Sequence, residues 1–177
     1  MNQQNDNALF KRIQQGDSSA VEEILSRWHG QFVGFLAKIV SLEDAQDTAQ
    51  EAYVKMIQRF HRFSNLDHAK RFMYKTGYRK AIDVVRHAGR TVVVKQKLAE
   101  QTTSLSDSHL THDLYRAVDV LSLKEKAVVM LRLQQDLSHR EIAAHLGIPL
   151  GTALYRMHNA VRKLRVFFES DKRSAEQ

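Results

Sequence analysis

The chain has 177 residues, with 27 lysines and arginines against 20 acidic residues, no cysteine and a single proline, Pro149. The missing cysteines exclude a disulfide framework and thiolate metal sites, and one proline with seven glycines leaves too little turn punctuation for a many-stranded β protein. Hydrophobic residues at 43% suffice for a packed core, no apolar run reaches the roughly 18–20 residues of a membrane span, and the polar start is no secretory signal. The expectation is a soluble, basic, helical, intracellular protein, and the surplus of +7 suits a polyanionic partner.

In chain order, Leu9 and Ile13, then Val21, Ile24, Leu25 and Trp28, then Phe32, Leu36, Ile39 and Val40 fall at helical spacing on buried faces. Asp17 and Ser18 are candidate N-caps for the Val21 helix. Ala45, Thr48, Ala49, Ala52, Tyr53, Met56, Ile57 and Phe60 predict a longer helix, and Tyr74, Tyr78, Ala81, Ile82 and Val85 another. Residues 1–87 read as one helical domain. From Ala88 to His112 the period dissolves, which predicts a flexible linker. A short strand at Val92–Val94 is an alternative without an obvious partner. Periodicity resumes at Leu114, Val118 and Leu121, then Val128, Leu131 and Leu133, giving a second domain over 113–170 and a disordered tail over 171–177.

Charge follows the same division. Residues 1–54 balance to −4, 55–90 to +8, 91–112 to zero and 113–177 to +3. Two basic zones around a neutral connector suit two contacts with one extended polyanion, although solvated helix faces produce charge runs as well.

The segment Ser138–Arg165 carries the most chemistry. Ser138 with Glu141 forms a capping box, Ile142 and Leu146 give the helix its apolar face, and Gly147 suits a left-handed C-cap plugged by Ile148. Pro149 opens the next helix, whose buried stripe is Ala153, Met157, Ala160 and Leu164. Thr152, Tyr155, Arg156, His158, Asn159, Arg162 and Lys163 face outward, and such side chains suit phosphates and base edges in a major groove. This is a helix-turn-helix pattern; an ordinary helical hairpin with a basic surface is the bland alternative.

Three motifs in this order resemble the extracytoplasmic-function (ECF) group of bacterial RNA polymerase sigma factors. They are DAQDTAQEAYVKMIQRF (44–60), RFMYKTGYRKAIDVVRH (71–87) and the helix-turn-helix. The resemblance covers roughly Leu9–His87 and Asp113–Phe168. It implies an all-α fold of two small helical domains joined by a flexible linker, the second a four-helix domain containing the helix-turn-helix. It implies docking on the β′ clamp of core polymerase through Asp44, Asp47, Gln50, Glu51 and Tyr53, with the β flap as a further contact. It places the minus-ten element of promoter DNA against Lys70, Arg71, Tyr74, Lys75, Tyr78, Arg79, Lys80 and Arg86. The minus-thirty-five element falls to Arg140, Thr152, Tyr155, Arg156, His158, Asn159 and Arg162. An anti-sigma factor is an implied partner, membrane insertion is not, and the implied localisation is cytoplasmic.

The residue chemistry supports those roles. Asp44, Asp47 and Glu51 share a helix face suited to a basic protein surface. Aromatic and basic residues interleave over 70–80, which suits separated strands, where bases stack and cations hold phosphates. Tyr74 and Tyr78 also share the Ile82–Val85 stripe, which favours burial, and Asp83 beside Arg86 reads as an ion pair or cap. The chain departs from the family at Arg79, Leu121-Ser122, Leu154, Tyr155 and Val161. Leu150, Leu154 and Val161 then form an apolar strip, which either packs on another surface (an anti-sigma partner or the first domain in a closed form) or makes ordinary contacts within its own bundle. The two domains are expected to pack together in the free protein and weaken promoter binding.

No phosphate-binding glycine loop, nucleophile elbow or carboxylate pair points to an enzyme. His109 and His112 lack companion ligands, so neither metal nor cofactor is expected. The competing function is a polymerase-independent helix-turn-helix regulator whose first domain senses or dimerises.

Overall fold

A computed structural model describes residues 3–91 and 117–175. The expected linker falls almost wholly outside these residues. Helix α1 spans Gln3–Gln14, α2 Ser18–Leu36, α3 Leu42–Gln58 and α4 Leu66–Thr91, with a 3-10 turn at Phe60–Arg62. After the gap come α5, Leu123–Gln135, α6, His139–Leu146, and α7, Leu150–Ala175. The described residues contain no strand. Helix α4 continues four residues beyond His87, and α7 continues through Ala175 where the sequence reading ends its second domain at 170. Both are helix ends, where apolar periodicity fades before the backbone hydrogen bonds do.

Local chemistry sets most boundaries. Gly16 turns the chain at φ +85°, and Asp17 caps α2 by accepting from the N–H groups of Ser19 and Ala20 at 2.9 and 3.2 Å. The Ser19 hydroxyl and the Arg12 guanidinium, which both donate to Asp17, hold its carboxyl down at about 2. Ser41 caps α3, and Ser122 and Ser138 close reciprocal capping boxes with Glu125 and Glu141. Gly147 sits at φ +63°, and the Ile148 N–H reaches back to the Ala143 carbonyl at 3.0 Å, sealing the end of α6.

The first four helices enclose an aromatic core. Phe32 and Phe35 of α2 pack on Tyr74 of α4 with ring centroids 4.8 and 5.4 Å apart. Ala45, Ala49 and Ala52 give α3 a smooth buried face. A Cβ at Gly77 would stand 2.5 Å from the Phe32 ring, so α4 crosses α2 at a separation that glycine permits.

The two halves share one core. In α5, Ala127, Val128, Val129, Met130 and Leu131 are all buried, because this helix packs on α7 on one side and α2 on another. Helix α6 lies along α4, and the buried residues of both halves form one continuous cluster. The closed packing expected of the free chain is the arrangement observed. The linker conformation and the His109/His112 pair lie outside the described residues.

Some predicted core positions are instead on the surface. Ile57 and Leu133 fit the apolar period but are exposed, since each lies on the margin of its helix stripe. Leu150, Leu154 and Val161 are exposed as well, Leu154 at 45%. Neither the first half nor their own bundle buries them. Helix α6 and Arg156 make the contact with α4, which leaves this strip on the far side of α7.

Candidate nucleic-acid interface

Helices α6 and α7 form the helix-turn-helix. Ile142, Ala143 and Leu146 of α6 are buried, as are Ala153 and Ala160 of α7, while Met157 and Leu164 are half-buried beside the core. The Pro149 carbonyl accepts from Thr152 and Ala153, so proline stands just before the helix, where its missing N–H costs nothing. Tyr155 is 68% exposed, and Arg140, His158 and Arg162 also face solvent. Thr152 and Asn159 are half-buried along the same helix. These six can approach a duplex directly.

Two cations of α7 are engaged. Lys163 donates to the buried Glu125 carboxylate at 2.8 Å, tying α7 to the N-terminus of α5. Burial pushes this carboxyl up, but Lys163 and the Ser122 hydroxyl and N–H overcome that and hold it below the ordinary range. Although its position on the helix predicts an outward role, Lys163 thus joins elements of its own bundle. Arg156 donates to the Tyr78 hydroxyl of α4 at 3.1 Å, so a residue expected at one promoter element is bonded to a residue expected at the other.

Helix α4 shows the same masking. Tyr74 is 0% exposed, held among Phe32, Phe35 and the ring of His145, and burial pushes its hydroxyl far above the ordinary range. Tyr78 is buried. The stem of Lys75 lies where a Cβ on Gly147 would come within 2.7 Å of it, so the turn of the helix-turn-helix rests on this lysine. Lys70 is half-buried with Nζ 6.0 Å from the Tyr74 ring centroid, and burial lowers its ammonium. Arg71 donates to the Asp67 carbonyl at 3.3 Å, Arg86 pairs with Asp83 at 3.2 Å, and Arg79 is exposed. Tyr74, Lys75 and Tyr78 are thus covered by α6, its turn and Arg156, whereas Arg71, Arg79 and Arg86 stay exposed and Lys80 turns to Glu51 of α3.

On α3, Asp47, Gln50 and Glu51 face solvent. Asp44 is half-buried and belongs to the cap, accepting from the Ser41 hydroxyl at 2.6 Å. Tyr53 turns inward, with its ring 5.7 Å from Phe32 and its hydroxyl 3.3 Å from His29 Nδ1, and burial pushes that hydroxyl up to about 12. It supports the helix from behind. Glu51 is claimed by Lys80 at 2.8 Å and Lys55 at 3.5 Å, and the Lys80 bond keeps its carboxyl low. Val54, 51% exposed, and Ile57 continue the outer face. Sequence reasoning missed this apolar half. Val54 lies seven residues after Asp47 and three after Glu51, two turns and one turn along the same side, which was the available signal.

Residues 111–164 match the family model described as Sigma-70, region 4. The chain is similar to the ECF RNA polymerase sigma-E factor of Haemophilus influenzae, with 27% identity over 171 residues, 88% of this chain and 90% of that protein. It is also similar to RNA polymerase sigma factor SigV of Bacillus subtilis, with 29% identity over 125 residues, 70% of this chain and 75% of that one. Its backbone matches the sigma factor RpoE of Bartonella quintana, solved with the anti-sigma factor NepR, at a TM-score of 0.68 and 21% identity over 85% of this chain and 97% of that one. That last likeness concerns the fold.

Proposed function

We infer that this chain is a member of the ECF group of RNA polymerase sigma factors, which binds core polymerase and directs promoter-specific initiation of transcription. The observation that carries the reading is one chain holding both a helix-turn-helix and an exposed acidic-apolar face on α3. Relatives named as sigma factors, similar over both halves, favour it over a polymerase-independent regulator, which would share only the second half.

The division of labour follows from the chemistry. Asp47, Gln50 and Glu51, with Val54 and Ile57, offer core polymerase a patch that is acidic at one end and apolar at the other, while Asp44 and Tyr53 hold the helix in shape. Tyr74, Lys75, Tyr78, Arg79 and Lys80, with Lys70, Arg71 and Arg86 beside them, suit the separated minus-ten strand by stacking and phosphate contact. Arg140, Thr152, Tyr155, Arg156, His158, Asn159 and Arg162 suit the minus-thirty-five duplex. The β′ clamp and β flap of polymerase and an anti-sigma factor are the protein partners. The chain works in the cytoplasm, at the nucleoid when active, and performs no catalysis itself.

The minus-ten surface requires the closed form to open, since Tyr74 and Tyr78 cannot meet a base while α6 and Arg156 cover them. Run-off transcription with core polymerase and a promoter library tests the reading. Core-dependent initiation at defined starts is the expected result. Tight sequence-specific DNA binding without polymerase, and no transcription with it, would return the chain to the regulator class.

A further inference from the structure

The seam between α4 and α6 contains a titratable group that neither docking nor DNA reading uses. His145 is 7% exposed, on the last turn of α6, with its ring centroid 5.5 Å from that of Tyr74. Its Nδ1 lies 2.9 Å from the Glu141 carbonyl, an acceptor, so Nδ1 carries the hydrogen and Nε2 takes any second proton.

The surroundings oppose that second proton. Helix α4 contributes two cations that act on the imidazole, Lys70 and Arg71, together with the Tyr74 ring. On its own helix Glu141 is the one counter-charge acting on it, and both Ser138 donors already occupy that carboxylate at 2.6 and 2.8 Å. Helix α5 brings the neutral Gln135 beside the Tyr74 hydroxyl, and α7 brings Arg156, another cation, to Tyr78 along the same seam. Burial first, with Lys70 and Arg71 adding to it, holds the imidazole below its ordinary value of 6.5.

The seam is also poorly satisfied. The Tyr74 hydroxyl is buried beside the Gln135 amide of α5 without a well-formed hydrogen bond between them among the described residues. Such groups recover hydrogen bonds to water when the helices part, so they favour separation. What holds the seam shut is aromatic packing around the imidazole, the Lys75 stem under the Gly147 turn and the Arg156–Tyr78 hydrogen bond.

We propose that His145 is an acid-sensitive latch: a second proton on its imidazole separates α6 from α4, uncovers the minus-ten surface and frees Arg156 for the minus-thirty-five one. The opening itself depends only on the seam, while its consequence for DNA rests on the sigma-factor reading. The sign follows from linkage. A base whose proton affinity is lowered in the closed form stabilises that form fully above pH 6.5, and the stabilisation is lost as pH falls through the lowered value. One proton of this kind shifts the open-to-closed ratio by at most about tenfold between pH 7.5 and 5.5.

The chain lacks cysteine, so the full-length Gln46→Cys/Glu169→Cys variant can carry a fluorophore pair across the two halves. Energy transfer that falls reversibly as pH drops from 8 to 5.5, and stays flat in His145→Gln, is the expected result. Lys70→Met, which removes a cation from the seam, lets the closed form accept the second proton more readily and should shrink the fall in transfer. Constant transfer in the parent, or the same pH dependence in His145→Gln, overturns the latch. Should His145→Gln fail to fold at pH 8, the His145 ring signals of the parent decide by NMR. A midpoint well below 6.5 supports the latch, and one at or above 6.5 overturns it. Acid-induced opening without any gain in promoter binding would keep the latch and sink the DNA reading, so the two failures are distinguishable.

Discussion

Glu125 shows how one side chain links two helices. Its carboxylate accepts from the Ser122 N–H and hydroxyl at 2.8 and 2.7 Å, as the capping box requires, and from Lys163 at 2.8 Å across the bundle. Lys163→Met removes the cross-bundle donor and leaves a buried carboxylate with its cap alone. The expected cost is about 1–2 kcal/mol, read as a lower midpoint in urea denaturation. Because the folded carboxyl lies below the ordinary 4.5, its contribution is present above that value and disappears as pH falls through the folded value. The loss caused by Lys163→Met should therefore shrink when denaturation is repeated at acid pH. Half of this arrangement is readable from the chain, since Ser-x-x-Glu announces the cap. The other half joins residues 38 positions apart, and only packing brings Lys163 to that spot.

At the scale of the element, exposed apolar strips discriminate between surface and core. Leu154 fits no buried stripe of α7 and faces solvent, so Leu154→Lys should change unfolding free energy by no more than about 0.5 kcal/mol. A larger loss would mean that the strip packs against something in solution. Val54 poses the opposite test, because its exposed side chain lies on the face that carries Asp47 and Glu51. Val54→Lys should leave the denaturation midpoint unchanged and weaken binding to core polymerase by about tenfold or more, measured by fluorescence anisotropy. Periodicity identifies the centre of each stripe correctly and fails at its edges. Ile57 and Leu133 satisfy the spacing yet stand outside, because a helix buries an arc and neighbours decide how wide that arc is.

At the scale of the molecule, the two halves seal each other. Helix α6 covers Tyr74, the Gly147 turn rests on Lys75, and Arg156 holds Tyr78. Binding of core polymerase is expected to release this seam. Hydrogen exchange of the 139–147 amides should then accelerate in the polymerase complex relative to the free chain. Equal protection in both states would show that the closed arrangement persists on the polymerase.

The chain by itself determined most of the helices, the caps of α2 and α6 and the helix-turn-helix, and with them the residue types expected at DNA and polymerase. Those features depend on neighbours within about four residues, where spacing, capping hydroxyls and left-handed glycine act directly. Only the tertiary structure decided which of those residues are free to act. Tyr74, Tyr78, Arg156 and Lys163 carry the right chemistry for their expected roles, yet each is occupied by a partner far away in sequence. Gly77 makes the same point: nothing around it in the sequence marks it, and its requirement arises from a phenylalanine ring on another helix. Contacts between distant segments follow from shape and burial of whole faces, which local pattern does not encode.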